Sequence, residues 1–209
     1  MIVSALAIDP IHTASLRAEE LALVATARDQ RRAEFATGRA LLRQLLETAA
    51  PVGRAANGAP LWPEGVVGSL AHDRAHAVAA IGPADRYRAI GIDIEPYGEA
   101  HGEADDELRE SVLRADDPDI DPIAAFVMKE AAYKAWSNLG GDIIGPLEIR
   151  LRINGDNFAA EMPTPRMTVH GTLSDTGSAW LAIATIPLIR VTHWRVMLLL
   201  GGPYEECTN

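Results

Sequence analysis

Apolar residues recur at helical spacing between Thr26 and Ala49, at Phe35, Leu42, Leu45 and Leu46, and predict a long helix there. Thr26 is its expected N-cap, with Asp29 three residues on, and Pro51 with the loop Asn57-Gly58-Ala59-Pro60-Leu61-Trp62-Pro63 ends it. Gly38 lies inside this helix, where it costs about 1 kcal/mol relative to Ala, so it marks close packing or the close approach of a ligand. Val66–Leu70 and Ala77–Ile81 are short apolar runs on either side of the turn His72-Asp73-Arg74-Ala75, and they predict paired strands. Residues 88–95 form another strand. A second helix begins at Asp121-Pro122, a capping residue followed by proline at the first helical position, and stops at Gly140-Gly141. Leu147, Ile149, Leu151 and Ile153 then alternate with Glu148, Arg150 and Arg152, the pattern of a half-buried strand ending at Asn154-Gly155. Met167–Leu173, Ala179–Ile186 and Thr192–Leu200 complete the expected strands.

The pattern echoes itself. Leu70-Ala71-His72-Asp73 before Ala77–Ile81 is similar to Leu173-Ser174-Asp175 before Ala179–Ile183, and each half of the chain offers one long helix and a strand–turn–strand unit. The expected fold is α+β, with two similar halves, 1–100 and 101–209, and the site between them.

Composition narrows the class. With 48% hydrophobic and 23% charged residues in 209, the chain can bury a core of one large domain or two small ones. A single cysteine, Cys207, excludes a disulfide framework, and no zinc-ligand spacing occurs. Met1 to Asp9 lacks the basic start of a signal peptide, and no apolar run reaches the length of a membrane span, so a cytoplasmic protein is expected. The net charge of −10 argues against a general nucleic-acid binder. Ten acids against two arginines between Tyr97 and Asp121 carry −8 of it. Residues 28–54 are locally basic, with Arg28, Arg31, Arg32, Arg39, Arg43 and Arg54 facing Asp29, Glu34 and Glu47. Such a region either attracts a phosphate-rich ligand or is a solvated helix face.

Seventeen arginines stand against two lysines, and both lysines fall in Lys129-Glu130-Ala131-Ala132-Tyr133-Lys134. A chain that uses arginine for ordinary positive charge keeps a compact ammonium here, where the two are not interchangeable near phosphate or a moving proton. Upstream, Gly91-Ile92-Asp93-Ile94-Glu95 is an apolar strand with two carboxylates, which alternation sends to one face while Ile92 and Ile94 go to the other. Converging carboxylates raise one another's pKa unless a cation sits between them, and a hard cation such as Mg²⁺ takes one or two carboxylates plus phosphates and water. Glu130 and Lys134 share a helix face, with Lys129 offset by roughly 100°. Phe126, Met128, Ala131, Ala132, Tyr133 and Trp136 surround these charges, so the helix is expected to be largely buried. Buried charges persist when paired or bound to metal.

Together, Gly91–Glu95 and Phe126–Lys134 resemble the two signature motifs of the 4′-phosphopantetheinyl transferase superfamily. Arg31-Arg32-Ala33-Glu34-Phe35-Ala36-Thr37-Gly38-Arg39 is similar to the N-terminal helix of its enterobactin-synthetase type, and Pro60 to His72 resembles the loop and strand before its cofactor site. The resemblance implies a pseudo-twofold pair of halves with the active site between them. It implies Mg²⁺ held by Asp93, Glu95 and Glu130 and bridging to the diphosphate of coenzyme A. Lys134 would contact the α-phosphate, and Lys129 would lie on the nucleotide or pantetheine side. Arg31, Arg39, Arg54 and His72 match positions that bind coenzyme A phosphates, His72 and Arg54 at the 3′-phosphate. A serine of an apo acyl or peptidyl carrier protein would attack the β-phosphate and release 3′,5′-ADP, with Glu130, directly or through a metal-bound water, taking its proton.

Some positions depart from the pattern. Ala71 fills a cofactor-binding position where relatives often have a hydroxyl, Ala131 one where many have serine, and Ala59 one where some carry lysine, leaving Arg54 to supply that charge. A catalytically silent coenzyme A or carrier-binding module would have lost a carboxylate or Lys134, and none is lost. A Mg²⁺-dependent phosphodiesterase or nucleotidyl transferase built on Asp93 and Glu95 would leave Lys129, Glu130, Lys134 and the Arg31/Arg39 helix unused. Carrier proteins present acidic helices, so docking is expected away from the acidic 97–121 segment. Nonribosomal peptide or siderophore assembly is the expected setting, and a monomer the expected state.

Overall fold

The computed structural model describes residues 1–55, 58–97, 103–164 and 166–188. The expected strand at Thr192–Leu200 and Cys207 lie outside the described residues. The fold is α+β, with two antiparallel sheets and few helices.

The first sheet contains β1 (Ile2–Ala7), β2 (Val66–His72) and β3 (His76–Pro83), in the order β1-β3-β2. β2 and β3 pair as expected, Leu70 opposite Ala79, around a turn in which Asp73 Oδ1 accepts from the backbone N–H groups of Ala75 and His76. A short helix, α1 (Ala18–Ala22), precedes α2 (Asp29–Leu45), which packs on this sheet. Here the expectation needs correction. α2 starts at Asp29, and its N-cap, Arg28, makes no side-chain capping bond; Thr26 lies in the turn before it. Arg32 Nη2 holds that turn instead, donating to the carbonyls of Ala25 and Ala27. Gly38 faces Leu70: an added Cβ would lie 3.0 Å from Leu70 Cδ2, so its role is close packing of α2 on β2.

Strand β4 (Tyr87–Pro96) has two apolar environments. Ile90, Ile92 and Ile94 pack with Ala71, Val78 and Ala80 of the first sheet. By hydrogen bonding, however, β4 is the edge of the second sheet, pairing with β8 (Ala179–Pro187), and that sheet continues through β7 (Met167–Asp175), β6 (Asn157–Met162) and β5 (Arg150–Asn154). β5 is shorter than its alternation predicts: Pro146–Glu148 forms a 3₁₀ turn, with Leu147 exposed and Ile149 and Leu151 buried.

The other face of β4 receives α4 (Pro122–Ser137), which follows α3 (Glu103–Val112). Asp121 caps α4 by accepting from Ile123 N–H, and Gly140 takes up the left-handed φ of 88° just past the end. Val127, Met128, Ala131, Ala132, Ala135 and Trp136 are all fully buried, as the apolar surround of this helix predicts. Contact with β4 is closest at Gly91, where an added Cβ would fall 1.8 Å from the Ala131 carbonyl oxygen. A strand residue without a side chain therefore brings the carboxylate strand against the lysine helix.

Candidate active site

Backbone alternation and this close contact explain the centre of the site. Asp93, one pleat beyond Gly91, faces α4, and Lys134, one turn after Glu130, meets it with Nζ 2.5 Å from Asp93 Oδ1 and 3.3 Å from the Ile92 carbonyl oxygen. Lys134 shares a helix face with Glu130, but its ion pair runs across to β4. Asp93 is 5% exposed, and its second oxygen, Oδ2, is buried without a hydrogen bond among the described residues. Burial pushes its pKa up, against the pull of Lys134. Glu95 is half-buried and is pushed up to about 7 by burial and by the charge of Asp93. Burial raises Glu130 as well, again opposed by Lys134.

A cleft of about 400 Å³ gathers residues from distant parts of the chain. Arg31, Glu34 and Arg39 come from α2, Arg54 from the loop beyond it, Ser69 and His72 from β2, and Glu130, Tyr133 and Lys134 from α4. A second cavity, of about 810 Å³, shares Glu34 and His72 with the first and contains Glu95, Tyr97, Ile123 and Phe126. Of the three carboxylates, Glu130 lines the first cavity, Glu95 the second, and Asp93 is buried and lines neither. Among the described residues no three His, Cys, Asp or Glu side chains converge as a ready-made metal cage. The donor set still fits Mg²⁺, which needs only one or two protein carboxylates when phosphates and water complete its shell. Burial of Asp93 and Glu95, with the Asp93 charge acting on Glu95 and Asp93 Oδ2 left unpartnered among the described residues, is the kind of cost a hard cation offsets.

The cationic residues are held differently from one another. Arg39 is buried, stacks 4.2 Å from the Phe35 ring centroid and donates from Nη2 to the Gly53 carbonyl; burial lowers its guanidinium to about 10. Arg54 Nε donates to the Gly58 carbonyl. Arg31 Nη1 lies 2.6 Å from His72 Nε2 and donates to Glu34 at 3.1 Å. Burial lowers the His72 pKa, while Glu34 raises it. Arg43, from the same basic stretch, is structural. Its guanidinium binds both oxygens of the buried Glu20, which also accepts the Val52 N–H.

Like Asp93 and Glu95, Lys129 and Ala71 do not line the first cleft. Lys129 is 0% exposed, and its ammonium donates to the Val112 carbonyl, Asp117 Oδ2 and the Pro146 carbonyl at 2.7, 2.5 and 3.1 Å. Three donors with three internal acceptors leave none for a ligand, so the expected nucleotide or pantetheine role is corrected to a structural one. Asp117 Oδ1 also accepts the Leu151 N–H, tying β5 into this junction. Ala71 points into the core between the first sheet and β4, which leaves its backbone as the only part able to meet a cofactor. Glu34 and Tyr133 line the cleft without having been singled out. The three-residue spacing of Arg31 and Glu34 on a helix was the available signal for the first; Tyr133 had none beyond its place between Glu130 and Lys134.

Comparison with known proteins identifies relatives of one family. A family model described as 4′-phosphopantetheinyl transferase N-terminal domain matches residues 19–82. The chain is 31% identical over 173 residues to the 4′-phosphopantetheinyl transferase Npt of Nocardia iowensis, covering 77% of this chain and 78% of that protein. It is 38% identical over 128 residues to the 4′-phosphopantetheinyl transferase PptT of Mycobacterium tuberculosis, covering 56% of each, so that match spans little more than half of either protein. With enterobactin synthase component D of Salmonella typhimurium it shares 39% identity over 89 residues, 38% of this chain and 36% of that one.

Proposed function

This chain belongs to the 4′-phosphopantetheinyl transferase superfamily, and on that premise we propose that it transfers 4′-phosphopantetheine from coenzyme A to a serine of an apo acyl or peptidyl carrier protein, releasing 3′,5′-ADP. The observation that carries this reading is the single cleft that joins Arg31, Arg39, Arg54 and His72 to Glu130 and Lys134. The four basic side chains suit the phosphates of coenzyme A, and Lys134 and Glu130 line the same cleft, where a phosphoryl group must be exchanged.

The roles follow from phosphoryl-transfer chemistry, in which positioning and charge neutralisation do most of the work. Asp93, Glu95 and Glu130 would hold Mg²⁺, which when bound neutralises charge on the diphosphate. Arg31, Arg39, Arg54 and His72 bind the phosphates of coenzyme A, Arg39 from its place beside Phe35. Lys134 leaves Asp93 for the leaving phosphate as charge builds there. Glu130 accepts the serine proton, directly or through water. The two hairpins, β2–β3 and β7–β8, support the division into halves 1–100 and 101–209 about a pseudo-twofold axis, with β4 closing the second sheet from the first half. No helix among the described residues is long and apolar enough to cross a membrane. We read the protein as a cytoplasmic monomer serving nonribosomal peptide or siderophore assembly, its carrier docking away from the acidic 97–121 segment.

Release of 3′,5′-ADP tests the chemistry. In the presence of an apo carrier it is expected to require Mg²⁺, to stop on chelation and to resume when Mg²⁺ is restored. Lys134→Arg should cut kcat by about a hundredfold, since a planar fork cannot replace the point charge between Asp93 and a phosphate. Full turnover in chelator, or a Lys134→Arg enzyme as fast as the parent, would contradict these assignments.

A further inference from the structure

One carboxylate in the cleft has no place in that scheme. Glu34 sits among Arg31, Arg39, Arg54 and His72, and a fixed negative charge there repels any phosphate that enters. Its oxygens are nevertheless both held: Gln30 Nε2 donates to Oε1 at 3.2 Å, and Arg31 Nη1 donates to Oε2 at 3.1 Å. The same Oε2 lies 3.7 Å from His72 Nε2.

Arg31 gives the reason for tolerating it. Its side chain is 49% exposed and, unbraced, would sweep through solvent; a long rotamer-rich side chain must be ordered before it can bind. Its guanidinium can only donate, so at 2.6 Å the His72 Nε2 accepts and the ring is neutral. Arg31 thereby reaches from α2 across to β2, which sets its guanidinium beside the imidazole. Glu34 also favours the protonated ring, opposing burial and Arg31, so it acts on both members of the pair.

We propose that Glu34 is a positioning residue that holds Arg31 and His72 as one anion-binding pair, and that this pairing gives the cleft its preference for a nucleotide bearing a phosphate monoester over one without it. The inference rests on the coenzyme A reading above. It commits to a sign that simple repulsion reverses, since deleting a negative charge from a phosphate site should otherwise tighten binding.

The experiment compares coenzyme A with 3′-dephospho-coenzyme A as donors for the parent enzyme, Glu34→Ala, Glu34→Gln and His72→Ala. For Glu34→Ala, KM for coenzyme A should rise about tenfold while KM for the dephospho donor moves less than about twofold, the loss expected for one charge-assisted contact. Glu34→Gln, which still accepts from Arg31, should recover part of the discrimination. Alanine is a strong helix former, so α2 and the fold are retained in Glu34→Ala. A tighter KM for coenzyme A, or an equal loss for both donors, would overturn the proposal. If His72→Ala lowers the discrimination and Glu34→Ala does not, only the role of Glu34 falls; if neither does, the phosphate assignment falls and takes this inference with it.

Discussion

Glu130→Gln is expected to lower kcat by at least about a thousandfold while leaving KM for coenzyme A within a few-fold of the parent value. Glutamine keeps the shape of the side chain on α4 but can neither accept a proton nor hold a divalent cation as a carboxylate does. General-base assistance alone is worth about a hundred- to ten-thousandfold, and the metal contribution adds to it. Burial raises the Glu130 pKa, toward the range where a carboxylate is a useful base, and Lys134 one turn away opposes that shift. The groups proposed to bind phosphate, Arg31, Arg39, Arg54 and His72, are on other elements and are untouched. Steady-state kinetics with saturating carrier separates the two constants. A fall in kcat of less than tenfold would remove Glu130 from the chemistry.

Lys129→Met should behave in the opposite way. Its ammonium and the Asp117 carboxylate are both fully buried, 2.5 Å apart, and removing one partner of such a pair costs about 3–5 kcal/mol because the other charge is left uncompensated. The Val112 and Pro146 carbonyls lose their donor too. Denaturant unfolding should show the midpoint falling at nearly constant slope. Adding Asp117→Leu should recover only part of the loss, since it removes the uncompensated charge but leaves the Leu151 and Arg114 N–H groups without their acceptor. At a temperature where the variant is folded, KM for coenzyme A should stay within a few-fold. A protein of parental stability with KM raised a hundredfold would return Lys129 to the cleft.

These two neighbours show what the sequence could and could not convey. Their offset of roughly 100° on a helix was enough to predict different surroundings. It could not say which surroundings, because the partner of Lys129 lies in an acidic stretch whose net −8 reads as solvated, and the side chain of one of those acids, Asp117, is buried. The carboxylate strand was legible, since alternation alone puts Asp93 and Glu95 on one face, and the apolar run of α4 foretold its burial. Gly91 was visible but mute: only the packed structure shows the Ala131 carbonyl occupying the space of its missing side chain. The start of α2 differs from expectation because Thr26 is a good cap locally, whereas the observed turn is held by Arg32 from within the helix. Likewise, alternation at Leu147 and Ile149 is indistinguishable from a strand until Pro146 and Glu148 close a 3₁₀ turn. Local signals define elements and faces; which charges are structural depends on partners far away in the chain.

The most direct measurement is the mass of an apo carrier protein after incubation with this enzyme, coenzyme A and Mg²⁺. The account predicts a single phosphopantetheine addition on the carrier serine, absent with a serine-to-alanine carrier and absent with Glu130→Gln. An unmodified carrier, across several acyl and peptidyl carriers and with coenzyme A demonstrably bound, would contradict it.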